Sequence, residues 1–141
     1  MAADPDCVFC KIAAGDIPSH SVLRSDSCLA FLDVGPLADG HLLLIPLEHY
    51  RRLEDMPPEL VAGVCSRLPE LGRAVARVAG ADGYNVLQNN GRVAGQVVEH
   101  VHFHLIPRRA DDGLGYRWLP KSYSQGRAEQ LRDQLREALG G

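Results

Sequence analysis

Apolar and polar positions along this chain change period several times, and each change marks an element. Between 97 and 106 the pattern is strict alternation, with His100, His102 and His104 interleaved with Val101, Phe103 and Leu105. A two-residue repeat belongs to a β-strand, whose successive side chains point to opposite faces. A strand is therefore predicted over 97–106, with three imidazoles on one face and an apolar set facing a core. Residues 41–46 form a nearly unbroken apolar run, which predicts a central strand buried on both faces. Residues 21–24 and 28–33 read as strands around the polar Ser25-Asp26 turn, an antiparallel hairpin, and 84–88 reads as a fifth strand.

The period then lengthens. Leu60, Val61, Val64, Leu68, Leu71, Val75 and Val78 recur at helical spacing, predicting a long helix over 59–79 that Pro58 opens and Gly80-Ala81-Asp82-Gly83 ends. Pro69 sits inside it. An interior proline removes a backbone hydrogen bond and clashes with the preceding turn, so a kink or two abutting helices is expected there. Residues 7–14 suit a short helical turn that Gly15 and Ile17-Pro18 stop. Ala128, Leu131, Leu135 and Leu139 mark an amphipathic helix within 124–139. Residues 1–6 are polar, and 110–123 have no clear period.

These elements describe one α+β domain over 1–141, with its core at about 7–109 and a C-terminal extension carrying the amphipathic helix. Short connections between sequential strands imply an antiparallel five-stranded sheet with the long helix on one side and short flanking helices. A small open sheet has edges to cover, and a homodimer is expected to do so.

A net charge of −3 argues against nucleic-acid polymers and anionic membrane surfaces as partners, so an anionic ligand has to be held by a local site. The apolar runs are too short to span a bilayer, and the acidic stretch 1–10 lacks the apolar core of a signal peptide. The cytoplasm is the expected compartment. There a disulfide framework among the four cysteines is not expected, and Cys28 and Cys65 read as small buried hydrophobes.

The histidine strand carries the candidate chemistry. His41 opens the central strand and His49 follows it, whereas His20 has the look of a surface residue. The loop Asn89-Asn90-Gly91-Arg92-Val93-Ala94-Gly95-Gln96 offers carboxamides and backbone N–H groups that glycine leaves open to a phosphate. Two chemistries fit such a face. One is metal-assisted hydrolysis through a His-x-His pair, which also needs an acidic ligand and an open metal position. The other is covalent catalysis, in which a neutral imidazole attacks phosphorus while neighbouring donors stabilise the phosphoryl oxygens. His102, flanked on both sides, suits the second role. Cys7-Val8-Phe9-Cys10 reads as a redox pair, as two unliganded thiols, or as half of a tetrahedral zinc site.

His100-Val101-His102-Phe103-His104-Leu105-Ile106 resembles the histidine triad motif of the HIT proteins, a superfamily of nucleotide-binding hydrolases and transferases. The resemblance runs from Cys7 to about Arg108. It takes in Phe31-Leu32-Asp33, the Gly40-His41 entry to a strand ending in Pro46, the Glu48-His49 turn, and Asn89 through Gln96. It implies His102 as nucleophile, passing through a nucleotidyl-histidine intermediate, with His104 and Gln96 on phosphate oxygens, His100 aligning the nucleophile through its backbone and ring, and His41 beside the triad. It further implies Asn89 at the phosphate or orienting a histidine, Asp33 on the ribose, and Phe9, Ile12, Phe31 and Leu32 around the base. Resemblance to the bacterial type implies a structural zinc held by Cys7, Cys10, His49 and His100, in which case His100 is not a free acid or base. One position departs from the pattern: the residue after Gln96, often Ser or Thr in the family, is Val97.

The implied substrate is a nucleoside phosphate, cleaved at a phosphoramidate or a dinucleoside polyphosphate bond. The alternatives are a nucleotide-binding module with slow or no turnover and a catalytic metal-dependent hydrolase. Arg108, Arg109, Arg117 and Lys121 are candidates for phosphate contact or for a solvated surface, and Tyr116 and Trp118 for a partner's pocket.

Overall fold

A computed structural model describes residues 3–115 and 119–140. Tyr116, Arg117 and Trp118 lie outside the described residues. Chain order is α1 (Val8–Ala14), β1 (Ser21–Arg24), β2 (Cys28–Leu32), β3 (Leu42–Pro46), α2 (Pro58–Cys65), α3 (Leu68–Ala79), β4 (Gly83–Gln88), β5 (Phe103–Arg108) and α4 (Arg127–Ala138). Single 3₁₀ turns occur at Leu53–Asp55 and Arg92–Ala94. The five strands form one sheet in the order β1-β2-β3-β5-β4, and every neighbouring pair is antiparallel.

Alternation along the central strands creates two cores. Cys28, Ala30, Leu42, Leu44, Phe103 and Leu105 point to one face, where Val64 of α2 and Leu71 and Val75 of α3 cover them. Leu29, Phe31, Leu43 and Ile45 point to the other, where Cys7, Phe9 and Cys10 of the α1 region cover them. Helices thus lie on both faces rather than one, because β2 and β3 are apolar at every position.

The long helical pattern resolves into two abutting helices. Pro69 sits in the first turn of α3, where its missing N–H costs no helical bond, and α2 stops at Cys65. Gly80 ends α3 in the left-handed region at φ 60°.

The histidine strand is shorter than its sequence pattern. Regular pairing begins at Phe103, opposite Leu44 of β3 and Gln88 of β4, because neither neighbour provides ladder partners before it. Residues 97–102 are irregular instead, bending at 98–100 and tied by the Val101 N–H to the Tyr50 carbonyl at 2.8 Å. The alternation outlives the ladder: Val101 still joins the core beneath α2 and α3, so the histidines keep to the α1 face. No residue of α4 is buried, and no helix among the described residues is long and apolar enough to cross a membrane.

Candidate active site

A cleft of about 440 Å³ opens between α1, the end of β2 and the segment before β5. Phe9, Ile12, Ile17, Phe31 and Leu43 give it an apolar lining, and His102, His104, Gly95, Val97 and Val98 also face it. Leu32 and Asp33 also border it. Phe9 meets Phe31 edge-on at 5.6 Å and His102 edge-on at 5.1 Å, so one ring touches both the apolar lining and the middle histidine.

Backbone groups decide which ring nitrogens carry hydrogen. His102 Nδ1 lies 2.7 Å from the carbonyl oxygen of His100, which can only accept, so Nδ1 carries the proton and Nε2 keeps its lone pair. The Leu37 N–H can only donate, and it donates to His41 Nδ1 at 3.0 Å. In neutral His41 the hydrogen is therefore on Nε2, which donates to His104 Nδ1 at 2.9 Å. His104 is left with its own hydrogen on Nε2. The result is one imidazole with a free lone pair beside another with a free N–H, their ring centroids 4.9 Å apart.

Burial keeps these rings neutral. It pushes His104 down to about 4, aided by repulsion from His102 and His41 and opposed by Asp33. Burial likewise lowers His102 and His41, while the His100 carbonyl and Asp33 pull His102 back and Asp33 pulls His41 back. Asp33 Oδ2 lies 3.5 Å from His41 Nε2, and its Oδ1 accepts the Gly35 N–H at 2.8 Å.

Cys7, Cys10, His49 and His100 converge behind the cleft, with all four donor atoms within 4.8 Å of one another. Tetrahedral zinc with ordinary bond lengths requires N···N near about 3.3 Å and N···S near about 3.6 Å. The His49 and His100 Nδ1 atoms are 3.2 Å apart, and the Cys7–His100, Cys10–His49 and Cys10–His100 separations are 3.4, 3.4 and 3.6 Å. His100 Nε2 donates to the Pro46 carbonyl at 2.9 Å, which turns the Nδ1 lone pair into the cluster. Asp4 stands 3.8 Å from His49 Nε2. Cys7 caps α1 and its Sγ accepts the Cys10 N–H at 3.4 Å, but burial pushes its thiol up, so a cation is needed to hold the thiolate. These residues fit zinc, and four protein donors close the coordination shell. Asp33, His41 and His104 form a second convergent group. It does not fit a metal in the same way, because the Leu37 amide commits His41 Nε2 to carrying a hydrogen.

A family model, the HIT domain, matches residues 14–111. The chain belongs to the HIT family. Among its relatives is an adenosine 5'-monophosphoramidase (HNT1) of Candida albicans, 38% identical over 99% of this chain and 95% of that protein. An adenylylsulfatase (HINT3) of Arabidopsis thaliana is 48% identical over 77% of this chain, which spans 55% of that protein's length. A zinc-bound histidine triad family structure from Mycobacterium smegmatis superposes with a TM-score of 0.72 at 40% identity, covering 94% of this HIT chain and 97% of that one.

Of the residues singled out from the sequence, Phe9, Ile12, Phe31, Leu32, Asp33, His102 and His104 all line the cleft, and His41 stands behind His104. Gln96 does not line it. The Gln96 carboxamide is used up inside the HIT domain, with Oε1 accepting the Gly91 N–H at 2.7 Å and Nε2 donating to the Arg51 carbonyl at 2.6 Å. Asn89 lies against Gly95 rather than in the cleft wall: a Cβ on Gly95 would stand 3.3 Å from its Nδ2. Arg108 is held by Asp112 and Asn85, Arg109 bonds the Ala79 carbonyl, and Lys121 is exposed. The His100 carbonyl is where the resemblance implied an aligning backbone, on His102 Nδ1, whereas the Leu37 amide and the Pro46 carbonyl were missed. Backbone groups carry no residue-type signature, and only the fold aims them.

Proposed function

We propose that this chain is a nucleotide hydrolase or nucleotidyl transferase that cleaves the bond between the phosphorus of a nucleoside monophosphate and an amine or oxyanion leaving group. The observation that carries this reading is the pairing of tautomers: the His102 Nε2 lone pair beside the His104 Nε2–H. In the first step Nε2 of His102 bonds to phosphorus as the bond to the leaving group breaks, and the electron pair departs with that group. His104 donates to a phosphoryl oxygen as charge builds there, and the His100 carbonyl takes up the positive character growing on the His102 Nδ1–H. In the second step water attacks phosphorus and gives a proton to solvent, the P–Nε2 bond breaks with its electron pair returning to Nε2, and nucleoside monophosphate is released. Val97 has no proton to give, so a leaving amine takes its proton from solvent at the cleft mouth.

The remaining roles follow the shape of the cleft. Phe9, Ile12, Phe31 and Leu32 enclose the base, and the carboxylate of Asp33 accepts from the ribose. Gln96 and Asn89 act on the loop that faces the phosphate. The relatives named as a monophosphoramidase and an adenylylsulfatase support a nucleotide with a P–N or P–O bond to a small leaving group. The zinc-bound relative supports a structural zinc on Cys7, Cys10, His49 and His100, where the ion would cross-link α1 to the sheet. The β4 edge, with Tyr84, Val86 and Leu87 at 40–45% exposure, offers the surface for a homodimer.

The deciding experiment is single-turnover hydrolysis of an adenosine 5'-phosphoramidate. His102→Ala is expected to lower turnover by about 1,000-fold or more while nucleoside monophosphate still binds. Retained turnover would refute the covalent route. Capture of an adenylylated His102 in quenched wild-type protein would support it.

A further inference from the structure

Nucleotide cleavage makes no use of the Cys7 and Cys10 thiols, yet the fold gives one of them an entrance. Both residues are buried, Cys7 at 8% exposure and Cys10 at 5%, so a reagent needs an opening to meet either sulfur. A second cavity of about 410 Å³ supplies one, with Cys7 and His49 in its wall. Among the described residues, Cys10 does not line it, whereas Arg51 and Arg92 do.

Each sulfur accepts an amide N–H at 3.4 Å, Cys7 from Cys10 and Cys10 from Asp4, which favours the thiolate. The two sulfurs lie within 4.8 Å of each other at the start of α1, close enough for a disulfide once the side chains rotate. Helix α1 has seven residues, too few to hold its shape in water, so it depends on what fastens it. Its fastenings are the contacts of Cys7 and Cys10 with His49 and His100, the edge-on contact of Phe9 with Phe31, and the Arg24 guanidinium donating to the Ala13 carbonyl at 3.1 Å.

We propose that Cys7 and Cys10 form an oxidation site at which a hydroperoxide closes a disulfide, unfastens α1 and loosens the nucleotide cleft. The inference rests on the zinc reading above. The Cys7 thiolate attacks one peroxide oxygen: an S–O bond forms, the O–O bond breaks, and the departing oxygen takes a proton to leave as water or an alcohol. Arg51 and Arg92 in the cavity wall favour that departing oxyanion. The Cys10 thiolate then attacks the Cys7 sulfenic sulfur, an S–S bond forms, and hydroxide leaves and takes a proton from solvent. The two sulfurs give up two electrons in all, and the peroxide accepts them. The new bond removes both anionic ligands, and His49 and His100 alone do not retain the ion, so α1 is no longer cross-linked to the sheet. Phe9 and Ile12 ride on α1 and line the cleft, and Phe9 touches His102, so all three contacts lose their fixed positions.

The test titrates the zinc-loaded full chain with hydrogen peroxide and follows zinc with a chromogenic chelator, disulfides by peptide mass, and amide hydrogen exchange over 8–14. One zinc per chain is expected to leave as a Cys7–Cys10 disulfide forms, with exchange over 8–14 about 10-fold faster and the Kd for adenosine monophosphate about 10-fold higher. Dithiol with added zinc is expected to reverse all of these changes. Dimedone present during oxidation is expected to mark Cys7 and not Cys10. Zinc retained beside the disulfide, oxidation confined to Cys28 or Cys65, or dimedone on Cys10 would each overturn the site. A chain that takes up no zinc refutes the zinc reading, and a reduced chain that binds no adenosine monophosphate refutes the nucleotide reading. In both cases exchange over 8–14 still decides the switch, and protection unchanged by the disulfide overturns it.

Discussion

Two clusters of histidine with acidic or thiol partners sit on one face of the same sheet, and they are prepared for opposite tasks. At Cys7, Cys10, His49 and His100, the Pro46 carbonyl takes the His100 Nε2–H and leaves a lone pair facing two sulfurs. At Asp33, His41 and His104, the Leu37 amide occupies a lone pair and pushes a hydrogen through His41 toward His104. Residue types do not separate the two clusters; the backbone group behind each ring does. A carbonyl behind the ring makes a ligand or a nucleophile, and an amide behind it makes a chain of donors.

The largest way to break this comparison is to remove a thiol. Cys10→Ser is expected to lose zinc and about 4 kcal/mol of unfolding free energy, measured with free zinc about 1,000-fold above its dissociation constant. An equal unfolding midpoint with and without chelator would remove the structural role. Metal analysis should find one zinc per chain, and a second ion held by Asp33, His41 and His104 would contradict the division.

His104→Ala strikes the other cluster. It is expected to lower kcat about 100-fold, the usual cost of removing one donor to a developing oxyanion, while zinc content and thermal midpoint change little. His41→Ala acts one bond further back. It frees His104 Nδ1 and is expected to lower kcat about 10-fold, with the wild-type KM for the nucleotide largely retained.

The smallest effect is on pH. Burial holds His104 near 4, below the ordinary histidine value of 6.5, so the folded protein keeps it neutral while the unfolded chain protonates it. Its contribution to stability is flat above pH 6.5 and declines as pH falls from 6.5 toward 4. As far as His104 governs it, activity should stay level from pH 8 down through 6.5 and fall only as pH approaches about 4. A break in kcat near 6.5 assigned to His104 would show that the ring is solvated as an ordinary histidine.

Much of this arrangement was legible in the chain itself. Alternation at Val101, Phe103 and Leu105 placed the histidines on one face even though pairing begins only at Phe103. Pro69 and Gly80 marked the helix break and the helix end because their backbone restrictions act locally. The range of the strand was not legible, since a ladder needs neighbours, and Leu44 and Gln88 meet Phe103 only in three dimensions. Gln96 is the instructive case. A glutamine beside a phosphate-facing loop suggests a ligand contact, yet both ends of its amide are committed to the Gly91 and Arg51 backbones. Tautomers lay furthest from the sequence, because they depend on main-chain groups of Leu37, Pro46 and His100.

The central claim is that the backbone sets the hydrogen on each ring, and ¹⁵N NMR of the imidazole nitrogens in the zinc-loaded chain at neutral pH tests it directly. His102 is expected to carry its proton on Nδ1, with Nε2 unprotonated, and His41 and His104 to carry theirs on Nε2. A protonated Nε2 on neutral His102 would contradict the account, because no lone pair would then face the phosphate.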